Sequence, residues 1–147
     1  MPSPEQTLPG YRRTLTAVGA TFVLLGGSML VRGSRAAMTP FGVPEQTLAS
    51  PHFADFFHFL FVHMAVLGII LVLLGRLVLE GRSQRLVARV LLVLQVHYTW
   101  LDVRTSDSPL GNHLYQGPGS LGPVVVDVLV LLAYLVLSVR PLRDTPR

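Results

Sequence analysis

The chain has 147 residues, of which 50% are hydrophobic and 14% are charged. A soluble domain usually carries about 25% charged residues, so the composition argues against an ordinary water-soluble protein. The sequence contains no cysteine, which excludes disulfide bonds, thiolate metal sites and catalytic thiols. The net charge is +4, and all twelve basic residues are arginines.

Four long apolar runs predict four helices that cross a membrane. A bilayer core of about 30 Å requires about 20 helical residues, and the first, second and fourth runs meet this length. The third run is shorter and contains Arg89, so its arginines must extend toward the interface; its length also permits a re-entrant segment. Ser50-Pro51 and Gly122-Pro123 are typical helix starts. The predicted helices cover residues 11–32, 51–79, 84–102 and 123–140.

These spans predict an all-α fold, a membrane four-helix bundle that forms a single domain over residues 1–147, with outer loops over residues 33–50 and 103–122. Nine of the twelve arginines fall on the side of the two termini. The positive-inside rule therefore places both termini in the cytoplasm and the chain in the cytoplasmic, or inner, membrane. We expect no nucleic-acid partner, because its footprint would need clustered aromatic residues and phosphate-facing loops.

The first apolar run also has some features of a signal peptide. Arg12 and Arg13 precede it, and Ser34-Arg35-Ala36 follows it as a small-x-small site. The apolar run of 18 residues is longer than the usual core of about 7–15 residues. We therefore expect the first helix to be retained.

Small residues recur at seven-residue spacing on the first two predicted helices. Seven residues make about two helical turns, so the two members of each pair lie on one face. Such residues let helix backbones approach closely in lipid, which predicts packing grooves within the bundle; a face for self-association is the alternative. The pairs are Gly19/Gly26, Ala20/Gly27 and Gly68/Gly75.

Ionisable residues of three predicted helices gather at the outer end of the bundle. An ionisable group inside a membrane is costly and marks a functional site by default. Asp127 is the sharpest case, because its neighbours in the sequence are valines and a leucine. Pairing with Arg104 or capping of loop amides is the structural alternative. The predicted ligand-binding residues are His63, His97, Tyr98, Asp102, Arg104 and Asp127.

The third predicted helix carries a polar row, and the loop after it can cover the helix ends. Gln95, Tyr98 and Asp102 follow i, i+3, i+7 spacing and share one face, whereas His97 points away from Gln95. The outer loop over residues 103–122 is rich in turn-forming residues. We expect this loop to form a lid, with the first outer loop packed beside it.

Histidines and aspartates also raise the question of a metal site, since both are suitable ligands for divalent ions. The candidate metal ligands are His58, His63 and His97, and haem between His63 and His97 is a further alternative. The sequence has no nucleophile elbow, P-loop or dinucleotide fingerprint. We therefore assign no catalytic residues and favour a protein that is not an enzyme.

The first half of the chain resembles the small bacterial four-helix membrane proteins of the BphX-like and DoxX-like kind. The resemblance rests on Arg12-Arg13 before Val18-Gly19, on Arg35 followed by a loop with proline and glycine, and on Pro51-His52-Phe53 at the start of the second span. It implies an integral membrane location and a compact bundle.

Together these patterns predict a small integral membrane binding or accessory protein with an outer-facing His/Asp pocket. Its expected surroundings are the lipid bilayer, and its expected partners are a small lipophilic ligand, a second copy of the chain or a larger membrane complex. Two alternatives remain open. One is a metal- or haem-dependent membrane enzyme that uses the same residues, and the other is a structural subunit that docks through its glycine-lined faces.

Overall fold

A computed structural model describes residues 6–77, 79–117 and 119–144. The two strands have only two residues each, so the described chain confirms the predicted all-α class. In chain order the elements are β1 (Gln6–Thr7), α1 (Tyr11–Met38), a 3-10 turn (Thr39–Phe41), α2 (Glu45–Leu48), α3 (Pro51–Arg76), α4 (Gly81–Thr105), α5 (Gly122–Val139) and β2 (Arg143–Asp144).

Four of these helices, α1, α3, α4 and α5, are long and apolar enough to cross a membrane. The shortest of them, α5, has 18 residues, and α4 has 25, so each reaches the length that a bilayer core requires. By length and composition the chain is a multi-pass membrane protein.

Helix α1 runs six residues past the end that the hydropathy pattern predicts at residue 32. Gly33 lies at φ 75° and ψ 161° and kinks the helix, which then continues to Met38. Glycine adopts this backbone conformation with little strain because it has no Cβ. Beyond the kink, Ala37 and Met38 are buried in a cluster with Phe57 of α3. Burial of these side chains explains why the helix resumes after its apolar run has ended.

The connection between α3 and α4 lies three residues earlier in the chain than the sequence predicts. Helix α3 ends at Arg76, because Leu77 is extended (φ −70°, ψ 139°), whereas the sequence predicts an end at residue 79. Helix α4 begins at Gly81 and continues to Thr105, beyond both predicted bounds of 84 and 102. The additional turns carry polar residues, which a hydropathy pattern does not assign to a span.

Helices α1 and α3 pack with their backbones in contact through glycines. A Cβ built on Gly19 would lie 2.5 Å from the carbonyl oxygen of Gly68, and one on Gly68 would lie 2.6 Å from that of Gly19. Gly26 and Gly75 also face the opposite helix. The predicted grooves at these four glycines are confirmed.

The remaining small pair, Ala20/Gly27, lies outside this contact. Ala20 is exposed, and a Cβ on Gly27 would meet nothing within 4 Å. The prediction that Ala20 and Gly27 form a packing groove is therefore wrong for the contact between α1 and α3. The pair lies one residue further along α1, about 100° around the helix from the packed face.

The bundle consists of two helix pairs, α1 with α3 and α4 with α5, which meet mainly at one end. There β1 pairs antiparallel with β2, so the two terminal segments lie side by side. We call the apolar cluster at this end, with its partly buried neighbours, the closed end. Its buried members are Leu8, Tyr11, Leu15, Val18, Phe22, Leu71, Ala88, Leu91, Val130, Tyr134 and Leu137.

A buried glutamine ties the N-terminal segment to the closed end. The Leu8 N–H donates to Oε1 of Gln84 at 2.7 Å, and Nε2 of Gln84 donates to the Leu79 carbonyl at 2.8 Å. Arg140 also donates from its guanidinium to the Pro9 carbonyl at 3.2 Å. Gln84 and Arg140 are thus paired with backbone groups, whereas the hydroxyls of Tyr11 and Tyr134 in the same cluster are buried without a hydrogen-bond partner among the described residues.

Candidate functional site

A cavity of about 470 Å³ separates the two helix pairs at the end away from the paired strands. Its walls come from the C-terminal halves of α1 and α4 and from the N-terminal halves of α3 and α5. Because these four helix halves point to the same end of the bundle, the cavity lies where the sequence predicts the outer side.

Most of the cavity wall is apolar. Six phenylalanines and three methionines line it, and several of them lie on one stretch of α3. Methionine is flexible and polarisable and fits varied shapes, while aromatic rings offer large contact surfaces. The apolar lining comprises, among others, Phe22, Met29, Met38, Phe41, Phe53, Phe56, Phe57, Phe61 and Met64.

A polar strip on α4 and α5 faces this apolar wall. Gln95, Tyr98 and Asp102 all line the cavity, and Asp127 of α5 joins them. The i, i+3, i+7 spacing explains why the three α4 side chains share one face. Gln95 is only 2% exposed, and its Nε2 donates to the Asp127 backbone carbonyl at 3.3 Å.

The two carboxylates of the strip form no ion pair with any residue that the structure describes. Among the described residues, one ion pair joins Arg35 to Glu45. The other joins His113 to Asp107, with Nδ1 of the histidine 2.6 Å from Oδ1 of the aspartate. Arg104, the predicted partner of Asp127, does not line the cavity and is exposed. Among the described residues the carboxylates of Asp102 and Asp127 therefore have no charged partner, and the Gln95 amide is the neighbouring donor of Asp127.

The predicted ligand-binding residues separate into two groups. His63, Tyr98, Asp102 and Asp127 line the cavity, whereas His97 and Arg104 do not. His97 is exposed, whereas Gln95, two residues before it, is buried. Two residues turn a helix by about 200°, so the two side chains lie on nearly opposite faces of α4. The structure thus brings together four of the six predicted residues.

The three candidate metal ligands do not come together. Among the described residues there is no group of three or more histidine, cysteine or acidic side chains that could hold a metal ion. His58, His63 and His97 are all exposed. His58 and His63 are five residues apart and so lie about 140° apart around α3. His63 Nδ1 lies 2.8 Å from the Phe59 carbonyl, which gives that ring a partner within its own helix.

Two loops join to cover the cavity at the end away from the paired strands. The Gly117 N–H donates to the Phe41 carbonyl at 2.9 Å, and the Gly119 N–H donates to the Pro40 carbonyl at 3.3 Å. The Phe41 and Tyr115 rings meet edge to face with centroids 6.3 Å apart. We call this arrangement the roof, and it places the two outer loops beside each other as the sequence predicts.

Tyr115 carries the one phenol of the roof that reaches the cavity. Burial, and then the negative charge of Asp102, raise the pKa of Tyr115 above its ordinary value. The hydroxyl therefore keeps its proton at neutral pH and can donate a hydrogen bond toward the cavity.

Exposed residues of the cavity lining lie on both α3 and α4, two helices that do not pack closely against each other. Phe56 (58%) and Leu60 (41%) of α3 and Tyr98 (38%) of α4 are the large ones, and His63 and Gly122 are also exposed. We interpret the gap between α3 and α4 as a side opening of the cavity. In a membrane this side opening would face lipid, whereas the roof separates the cavity from the water beyond the helix ends.

The aromatic wall of the cavity is not among the residues that the sequence pattern predicts. Four phenylalanines of α3, at positions 53, 56, 57 and 61, line the cavity. Their spacing of three, four and eight residues places them on one helix face. This spacing is the signal that could have revealed the wall, but an apolar run in a membrane helix equally fits contact with lipid.

No protein-family model matches the sequence, and neither the curated proteins nor the solved structures include one that is significantly similar to it.

Proposed function

We propose that this membrane protein binds a small lipophilic molecule in the cavity between its two helix pairs. The observation that carries this proposal is the division of one 470 Å³ cavity into an apolar Phe/Met wall and a polar strip. Ligand pockets typically have volumes of about 300–1,000 Å³, with mostly apolar walls and a few placed polar groups. A ligand with an apolar body and a polar head would match both walls at once.

The side opening supports entry of this ligand from the lipid. Phe56, Leu60 and Tyr98 flank the opening and are exposed, so a molecule dissolved in the bilayer would meet apolar side chains first. The roof above the cavity is held by backbone hydrogen bonds between Phe41 and Gly117 and between Pro40 and Gly119. Entry from water would have to separate these loops.

The proposal includes the orientation in which both termini face the cytoplasm and the cavity lies in the outer half of the membrane. The excess of arginines on the side of the termini supports it. The natural absence of cysteine makes a direct test simple. In intact cells, a membrane-impermeant maleimide should label Asn112→Cys and not Ser83→Cys, and the reverse pattern would overturn the orientation.

Binding is tested with a neutral probe, decanol that carries a photoreactive diazirine. The full chain is placed in phosphatidylcholine nanodiscs, irradiated, and digested to find the labelled residues. We expect labels on cavity-lining residues of α1, α4 and α5, and competition by unlabelled decanol. Labelling confined to lipid-facing side chains, or labelling that decanol does not reduce, would overturn the proposal.

A matched pair of variants separates the cavity from the outer surface of the same helix. Leu25 lines the cavity, and its neighbour Leu24 is 72% exposed. Leu25→Trp should fill part of the cavity and abolish the competed labelling, whereas Leu24→Trp should leave it unchanged. Size-exclusion chromatography and circular dichroism establish that both variants fold.

A further inference from the structure

We infer that the ligand of this cavity is a lipophilic cation, an organic ammonium whose head lies between Asp102 and Asp127 and whose apolar body lies against the phenylalanine wall. This inference rests on the proposed function and names the class of molecule that the site would take. Three independent features of the cavity wall support it.

The first feature is the surplus of negative groups in an apolar space. Asp102 and Asp127 both line the cavity, and neither is paired with an arginine or histidine of the described chain. A carboxylate in apolar surroundings is costly unless it is paired or hydrated. A cation in the cavity would pair with both groups, whereas an anionic ligand would add to their repulsion.

The second feature is Gln95, which lies two helical turns before Asp102 on the same face of α4 and is almost fully buried. Its one hydrogen bond to a described residue uses Nε2, which donates to the Asp127 carbonyl at 3.3 Å. Its Oε1 is thus left as an acceptor on the cavity wall. Two carboxylates and one amide oxygen require hydrogen-bond donors, and a primary ammonium supplies three with no acceptor.

The third feature is the aromatic wall opposite the strip. Phenylalanine faces attract cations as well as apolar groups, and six phenylalanines line this cavity. A bare metal ion fits poorly, because the volume of about 470 Å³ far exceeds that of an ion and most of the lining offers no ligand atoms. An organic cation uses both the charge and the volume.

The test compares three competitors with the same ten-carbon chain: decylammonium, decanol and decyl sulfate. Each displaces the diazirine-bearing decanol from the full chain in phosphatidylcholine nanodiscs. Decylammonium should displace the probe at a concentration about tenfold lower than decanol does, as expected for a charge-assisted hydrogen bond, and decyl sulfate should be the weakest. Each comparison is repeated in the variants, so that partition into lipid cancels.

Asp102→Asn and Asp127→Asn should each remove the advantage of decylammonium over decanol, measured as the ratio of the two displacing concentrations within the same variant. Asp55→Asn is the matched control, because Asp55 is an exposed carboxylate of α3 that does not line the cavity. This variant should behave as the unaltered chain.

The outcomes distinguish this inference from the proposed function. If decanol competes in the unaltered chain and decylammonium is no better, the cavity binds lipophiles and the inference of a cation is wrong. The same conclusion follows if Asp55→Asn removes the advantage as fully as the two cavity variants do. If no competitor displaces the probe, the proposed function itself fails.

Discussion

Two glutamines on one face of α4 show how differently the two ends of this bundle are built. Gln84 and Gln95 are eleven residues apart, about three helical turns, and both are buried (8% and 2% exposed). At the closed end, Gln84 uses both its oxygen and its nitrogen in bonds to backbone groups. At the cavity end, Gln95 uses only its nitrogen. The difference therefore concerns the two amides: the Gln84 amide is fully paired within the protein, and the Gln95 oxygen has no described partner.

A second difference between the ends lies in the space between the helix pairs. Near the closed end, Gly19 and Gly68 bring the backbones of α1 and α3 together, and Leu15 and Leu71 are completely buried. Toward the other end, Gly26 keeps α1 close to the backbone of α3, but the cavity separates this pair from α4 and α5. We conclude that the closed end supplies most of the stability and that the cavity end can vary with little loss of it.

The largest difference between the ends should appear when a leucine of α3 is truncated. Leu71→Ala removes a fully buried side chain of the closed end and should lower the free energy of unfolding by about 3 kcal/mol. Leu60→Ala removes a cavity-lining side chain that is 41% exposed and should lower it by less than about 1 kcal/mol. Equilibrium unfolding of both variants in mixed micelles with increasing SDS measures this. Equal losses would show that stability is not concentrated at the closed end.

Adding a methyl group should be the next largest effect. A Cβ on Gly68 would lie 2.6 Å from the Gly19 carbonyl oxygen and 2.8 Å from the Val23 nitrogen, so Gly68→Ala must push the helices apart and should cost about 2 kcal/mol. The control is Gly27→Ala, where the methyl group meets open space and the higher helix propensity of alanine should leave stability equal or raised. The same SDS titration serves. A Gly68→Ala chain as stable as the unaltered chain would refute the close contact.

The two glutamines provide a third test of the contrast. Gln84→Leu leaves the Leu8 N–H and the Leu79 carbonyl without their partner and should cost about 1.5 kcal/mol. Gln95→Leu removes one long hydrogen bond and should cost less than about 0.5 kcal/mol while weakening binding of a cationic probe. Hydrogen exchange of the Leu8 amide should accelerate in Gln84→Leu alone. A larger loss of stability in Gln95→Leu would reverse the assignment of the two ends.

The helices could be predicted from the sequence because a membrane span is a local property. An apolar run such as residues 56–75 contains in itself the reason to form a helix in lipid. The extension of α1 beyond Gly33 was not predictable in this way, because it depends on the contact of Met38 with Phe57. That contact joins residues that are distant in the sequence.

The candidate site was predictable only where helix geometry decides it. Spacing on α4 suffices to place Gln95, Tyr98 and Asp102 on one face and His97 on another. Which face of α3 meets that strip depends on how the helix pairs are arranged, so the phenylalanine wall was missed. Arg104 was expected near Asp127 from its depth alone, yet depth does not determine the direction in which a side chain points.

The smallest expected effect concerns the roof, where two glycines of one loop differ in their contacts. Gly117 packs directly against the Pro40 carbonyl and the Gly42 backbone, whereas a Cβ on Gly119 would lie 3.3 Å from the Pro40 carbonyl. Gly117→Ala should therefore separate the loops and cost about 1 kcal/mol, and Gly119→Ala should change stability by less than about 0.5 kcal/mol. Hydrogen exchange across residues 39–44 should accelerate in the first variant alone. If hydrogen exchange accelerates in Gly117→Ala but binding of the neutral probe is unchanged, the probe does not enter through the roof. That result supports entry through the side opening. If loosening the roof instead speeds binding, the ligand enters from the water side.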